Sequence, residues 1–248
     1  MVTFGFERWR SIVTSKEVKD FAYEVGFAAV GVVGHSRVGL IPTGRVDDVI
    51  ELLSPESLLP HVRSVVVLGY SIWDPVFNLV VMGQDQSDRP AFHQLYAEVA
   101  SNKAWEVAHF LESRGHEAIS TRRICLKKAA VLAGLGTQGK HTVVVSPRHG
   151  ATLRFAAVLT SAELEEDPMF GEDLCSDCTK CLDACPTSAL KPSSIDIKRC
   201  MVYAAENPNS EEVQNDVRAS EKRFIRRPSR HSFIECTMCL DACPLKGK

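Results

Sequence analysis

The run Cys175-Ser176-Asp177-Cys178-Thr179-Lys180-Cys181-Leu182-Asp183-Ala184-Cys185-Pro186 decides how this chain reads. Its four thiols stand at x2, x2 and x3 spacing, with proline directly after the last. A lone Cys200 follows, then Cys236, Cys239 and Cys243, the last again trailed by proline, Pro244. Eight of the nine cysteines therefore lie beyond Leu174 and only Cys125 precedes it, which marks a domain boundary. Disulfides need an oxidising compartment. The opening Met1–Arg10 has neither the apolar core nor the small-residue cleavage site of a secretory signal, so a cytoplasmic chain with reduced thiols is expected. Zinc sites of four cysteines normally space two C-x2-C pairs and do not run three cysteines at x2 before x3 and proline.

The spacing is that of bacterial ferredoxins, in which three thiolates on one tight loop hold a 4Fe-4S cube and the fourth reaches the other cluster. Crossed ligation then predicts one cluster on Cys175, Cys178, Cys181 and Cys243, and a second on Cys236, Cys239, Cys185 and Cys200. Cys200 replaces the missing first cysteine of the second motif, and all eight thiols are used. Two such clusters read as a relay for single electrons, with a purely structural role as the alternative. A relay needs a terminus, which the first 174 residues must supply.

The 248 residues, 45% hydrophobic and 24% charged, can bury a real core, and no apolar run approaches the roughly 18 residues that a membrane span needs. A net charge of −2 gives no global pull toward nucleic acid or anionic membrane. Thr14 to Glu17 forms a capping box ahead of Val18, Phe21, Ala22 and Val25, which predicts an amphipathic helix closed by Gly26. Apolar runs at 27–33 and 62–70 read as strands, 91–114 as a long helix capped by Gly115, 116–120 as a strand and 124–133 as a helix. Strands over 142–146 and 152–160 around Pro147–Gly150 predict a hairpin, and hence an at least partly antiparallel sheet in an α+β sandwich. The acidic, proline-containing stretch 161–172 reads as the linker to the cysteine-rich end, and no internal repeat is apparent.

Gly134-Leu135-Gly136-Thr137-Gln138-Gly139-Lys140 follows a helix and precedes a strand, the reverse of what a dinucleotide fingerprint or P-loop requires. Two readings stay open: a backbone that a ligand can approach closely, with Lys140 on its phosphate or polar tail, or a plain helix stop and turn. Arg218, Lys222, Arg223, Arg226, Arg227 and Arg230 crowd one stretch, which reads as a solvated loop or a dock for an acidic electron donor, with phosphate tracking as the alternative. Cys125 reads as a small buried residue, with a ligand or redox role near the glycine-rich loop as the alternative.

This order of parts resembles the epoxyqueuosine reductase family, kin of the reductive dehalogenases. The resemblance is loose over residues 1–115 and tight from about Leu132 onward. It implies a nitroreductase-like, cobalamin-binding domain at 1–165 and a double 4Fe-4S ferredoxin-like domain at 166–248. An external ferredoxin- or flavodoxin-type donor would feed the clusters, and they in turn a base-off corrinoid whose cob(I) state does the reductive chemistry. Gly134, Gly136, Gly139, Lys140 and Thr142 match the family's loop along the corrinoid, and His93 matches a family histidine, though at a helix start it reads as structural. Where the family carries an acidic residue, this chain has Ser120, a poor general acid. Leu126-Lys127 replaces a Glu-Arg pair, and the chain ends five residues after Cys243, without the family's tRNA-holding repeats. The expected activity is thus a corrinoid-dependent iron-sulfur reductase whose substrate is not epoxyqueuosine on tRNA, and a nucleic-acid partner is not expected. The alternatives are an electron-transfer protein that reduces a corrinoid on a partner protein, and flavin in place of the corrinoid.

Overall fold

The computed structural model describes residues 12–41, 44–46, 50–84 and 90–245. The Met1–Arg10 stretch read above lies outside them. The chain divides into two compact units, each discontinuous in sequence: one of residues 1–69, 101–133 and 155–168, the other of 70–100, 134–154 and 169–248. The mixed helix and strand architecture expected from the sequence is present, and among the described residues no helix is long and apolar enough to cross a membrane.

The first helix, Ser15–Val25, starts where the capping box predicts. The Thr14 hydroxyl accepts from the Glu17 N–H, and the Glu17 carboxylate accepts from the Thr14 N–H at 2.9 Å. Gly26, at φ 103, ends it in the left-handed conformation that only glycine adopts without strain. Its buried face carries Val18 and Ala22, as the spacing requires. The main sheet has the order Ala29–Gly34, Ser64–Ser71, Leu153–Thr160, Ala118–Thr121. Its outer pairs are antiparallel, with Ala29 opposite Gly69 and Ala157 opposite Thr121. Val65 to Leu68 are fully buried, which is why that strand reads as an unbroken apolar run with no alternation.

The acidic stretch read as a linker contains the 168–169 division between the units, and its Asp167 binds the edge of this sheet. Asp167 donates its N–H to the Val32 carbonyl and accepts the Val32 N–H on its carboxylate at 2.7 Å, so the exposed strand edge finds partners. The Lys19 ammonium pairs with Asp167, and the Arg37 guanidinium with Glu166.

In the second unit, Ser232–Ile234, Leu79–Gln84 and Pro90–Gln94 form a three-stranded antiparallel sheet in that order. The helix expected over 91–114 therefore begins only at Leu95, as Leu95–Ser113, because 90–94 is drawn into pairing with 79–84. Proline is tolerated at the first position of a strand, where Pro90 stands. Phe233 and Val80 are fully buried and pack with Met201, Ala205 and Ile225. The expected hairpin is not formed. Val144–Val145 pairs with Thr137–Gln138 inside the glycine-rich segment, and Leu153–Thr160 joins the main sheet. Thr142, at φ 67, cannot extend the strand backward to 142, and only a Ser146–Gly150 bridge remains of the turn.

Candidate metal centre and adjoining cavity

The two cysteine motifs fold alike. Cys178 to Pro186 and Cys236 to Pro244 are identical at eight of nine positions, an internal repeat that inspection for cysteine spacing alone passed over. Each makes one short helical turn, Lys180–Asp183 and Met238–Asp241. The residue before it sits at φ −119, ψ 1 for Thr179 and φ −116, ψ 9 for Thr237. Thr179 donates its hydroxyl to Asp183 at 3.0 Å, and Thr237 to Asp241 at 2.8 Å. These threonine–aspartate staples fix both loops, and the repeated T-x-C-L-D signal could have revealed them from the sequence.

None of the nine cysteines forms a disulfide. Burial pushes Cys181 and Cys243 upward, and both feel the charge of Cys175 and Cys178. Burial likewise raises Cys200, beside Cys185, and Cys236, beside Cys200 and Cys185. Cys239 is pushed up to about 12, by burial first and then by Cys236, Cys200 and Cys185, with Cys181 the last contributor. As bare thiols the second group would keep their protons at neutral pH; a metal ligand must lose its proton, so iron would supply the positive charge that these buried sulfurs lack. Soft thiolate donors in this number fit iron-sulfur clusters. One amide is already directed at a sulfur: Ala189 N–H donates to Cys185 Sγ at 3.3 Å.

Lys140 stands in the same unit, and its ammonium donates to the backbone carbonyls of Ser176 at 2.6 Å and Cys178 at 3.0 Å. Its own carbonyl accepts from Ser193 N–H. The residue expected to hold a ligand's tail thus clasps the first cysteine loop. The glycines before it are needed by the chain itself. A Cβ on Gly136, at φ 152, would overlap the Val145 carbonyl oxygen and lie 2.8 Å from its carbon. One on Gly139 would lie 2.7 Å from the His141 ring and 2.8 Å from Val145 Cγ2. Gly134 is left-handed at φ 75, and Thr142 donates its N–H back to the Gly139 carbonyl.

The second motif walls a cavity of about 470 Å³. Cys236, Met238 and Asp241 line one side, with Trp73, Asn78 and Arg154 among the other lining residues. Asn78 lines this cavity, and its side-chain oxygen is buried with no hydrogen-bond partner among the described residues. The Arg154 guanidinium, 5.4 Å over the Tyr96 ring, is fixed by the Ala151 and Leu153 carbonyls. Two residues singled out in the sequence are placed elsewhere than expected or do little. His93 lies on a strand opposite Val81, not at a helix start, with Nδ1 3.4 Å from Glu98. Ser120 sits opposite Val158 in the main sheet.

The arginine-rich stretch is partly consumed by folding. Arg218 donates to the carbonyls of Ala204, Asn207 and Ser210. Arg227 pairs with the buried Glu221 at 2.8 Å and covers the Phe233 ring. Lys222, Arg223, Arg226 and Arg230 remain exposed.

Residues 174–246 match the family model of a 4Fe-4S double cluster binding domain. The epoxyqueuosine reductase of Prochlorococcus marinus is 26% identical over 266 residues, covering 96% of this chain and 80% of that protein. That of Bacillus subtilis is 27% identical over 81% of this chain. The chain is similar to the epoxyqueuosine reductases over most of its length. The solved Bacillus subtilis epoxyqueuosine reductase shares its fold at TM-score 0.69 and 22% identity, with 93% of the chain covered. Another solved epoxyqueuosine reductase, at TM-score 0.67, was determined with an epoxyqueuosine-modified tRNA stem loop. A reductive dehalogenase, described with a mechanism for B12-dependent dehalogenation, matches at TM-score 0.56 and 16% identity over 83% of the chain. The chain spans 64% of the solved Bacillus subtilis epoxyqueuosine reductase and 52% of the curated Bacillus subtilis protein.

Proposed function

We propose that this chain is an oxidoreductase that passes single electrons from an external ferredoxin- or flavodoxin-type donor, through two 4Fe-4S clusters, to a corrinoid that reduces a substrate other than epoxyqueuosine on tRNA. Residues 166–248 act as the relay, with Cys175, Cys178, Cys181 and Cys243 on one cluster and Cys185, Cys200, Cys236 and Cys239 on the other. The mutual electrostatic grouping of these thiols supports that assignment. The observation that carries the reading is the cavity walled by Cys236 and Met238, since a ligand there meets the second cysteine motif directly.

At about 470 Å³ the cavity would take in only part of a corrinoid. A corrin rim carries amide groups, for which Asn78 and Arg154 are polar lining residues, while Trp73 offers an apolar face. When bound, a corrinoid supplies a cobalt centre that takes single electrons and becomes strongly reducing. The chain's own part is to orient that group with Asn78 and Arg154 and to bring the relay to it. Gly134, Gly136, Gly139, Lys140 and Thr142, which the family resemblance sets along the corrinoid, are not among the residues that line this cavity. Ser120, a hydroxyl where the family has an acid, supports a substrate that needs no carboxylic proton donor from this position.

A second reading is that the chain reduces a corrinoid on a partner protein, favoured by the exposure of Trp73, at 75%, beside the cavity. Titrating anaerobic, cluster-loaded protein with cob(II)alamin decides between them. A base-off EPR signal places the corrinoid in this chain; an unchanged free-cobalamin spectrum, with reduction of a corrinoid protein in trans, favours the partner reading. A flavin spectrum released on denaturation would replace the corrinoid in either.

A further inference from the structure

Resting on the cluster assignment above, we propose that Lys140 is a positioning residue for the first cluster: it orders the Cys175–Cys181 loop and raises the reduction potential of that cluster alone. The argument starts from peptide geometry. In a planar trans peptide the carbonyl of one residue and the N–H of the next point in opposite directions. The Lys140 ammonium draws in the carbonyls of Ser176 and Cys178, so the N–H groups of Asp177 and Thr179 are turned to the opposite side of the loop. Ser176 holds φ 40, a left-handed conformation costly for a residue with a side chain, and the bond to Lys140 stabilises it there. Two outward amides and one cation then act on the same loop. Hydrogen bonds to the sulfurs and positive charge both favour the reduced, more negative cluster.

The repeat supplies the internal control. Cys236 to Pro244 copies Cys178 to Pro186 almost residue for residue, but Met238 stands where Lys180 does, and Cys200 lies far back in sequence, so no counterpart of the 175–177 segment precedes Cys236 in the second motif. The clasp is a feature of one loop. The two clusters, built from near-identical motifs, are therefore driven to different potentials, with the first the easier to reduce by one electron. Lys140 also joins the glycine-rich segment to the relay, which explains why a lysine ends it.

The test uses the full chain, reconstituted anaerobically, with iron and sulfide counted and both clusters followed by EPR during a dithionite-driven potentiometric titration. Cys178→Ser identifies which signal belongs to the first cluster. Lys140→Met should lower the reduced-to-oxidised ratio of that cluster about tenfold at fixed potential, 59 mV for a one-electron couple, and leave the other signal in place. Lys140→Arg should restore most of the shift. If Lys140→Met sheds about four irons while its far-UV spectrum is unchanged, the ordering role stands, and Lys140→Gln, which keeps donors without charge, must then give an intermediate potential. Unshifted potentials in both the Met and Gln variants at full iron content overturn the proposal. Wild-type protein that never acquires two cubane signals overturns the cluster assignment instead, and the inference with it.

Discussion

Replacing Gly136 by alanine tests whether the glycine-rich segment serves the chain's own packing. The residue holds φ 152, a region essentially closed to side chains, and a new Cβ would meet backbone rather than a flexible side chain. Its neighbours would be the Val145 carbonyl carbon at 2.8 Å, closer than real Cβ atoms come, and Ser146 Cα at 3.0 Å, tighter than most real contacts. Backbone strain of about 1–3 kcal/mol and an overpacking cost of similar size give a destabilisation of about 2–6 kcal/mol. With a urea dependence of about 1–3 kcal/mol per molar, the unfolding midpoint should fall by about 1–3 M. The assay is urea unfolding of anaerobic, cluster-loaded protein followed by far-UV circular dichroism. Gly171→Ala, where a Cβ meets nothing within 4 Å, is the control and should move the midpoint little. A Gly136→Ala midpoint equal to that of the control would refute the packing argument. Combined with lost cobalamin binding, it would return the glycine to a ligand-approach role.

Cys200→Ser should lower iron from about eight to about four per chain while Cys125→Ser leaves it unchanged, as iron and sulfide analysis will show; eight irons in the Cys200 variant would break the crossed assignment. Arg227→Met strands the buried Glu221 carboxylate and should cost about 2–4 kcal/mol, discounted for the partial exposure of the arginine. The Arg227→Met, Glu221→Met double variant should recover most of that loss, measured as urea midpoints. The Gly34 N–H, ahead of the opposing effect of burial and of the Arg37 guanidinium, holds the Glu166 carboxyl below the usual carboxylate range. Its contribution to stability is present above the ordinary carboxylate pKa of about 4.3 and is lost as pH falls through the lowered folded value. Glu166→Gln should therefore be less stable than wild type at pH 7 and approach it at pH 3; a gap that widens on acidification would contradict this.

Much of the site was legible in one dimension because its information is local. Cluster-binding loops are short, so cysteine spacing within a dozen residues states the donor set. Capping is equally local, and Thr14, Glu17 and Gly26 define a helix that forms where they say. The 90–94 strand was not legible, since an apolar pattern after a proline suits either element and the partner strand settles the choice. The clasp made by Lys140 was not legible for a related reason. A lysine after glycines resembles a ligand loop in any sequence, and only the placement of the Ser176 and Cys178 carbonyls shows what it holds.

The sequence by itself thus determined the double-cluster type of the cysteine-rich end and the mixed helix and strand class, because these rest on residue identity and on contacts a few positions apart. Tertiary structure alone decided that Asp167 binds the edge of the main sheet, that the 232–234 strand pairs with 79–84, and that the second motif walls a cavity with Asn78. Each of these joins segments separated by tens to more than a hundred residues, where pairing is set by which buried surfaces and backbone groups can satisfy one another at once, a condition that no local pattern encodes.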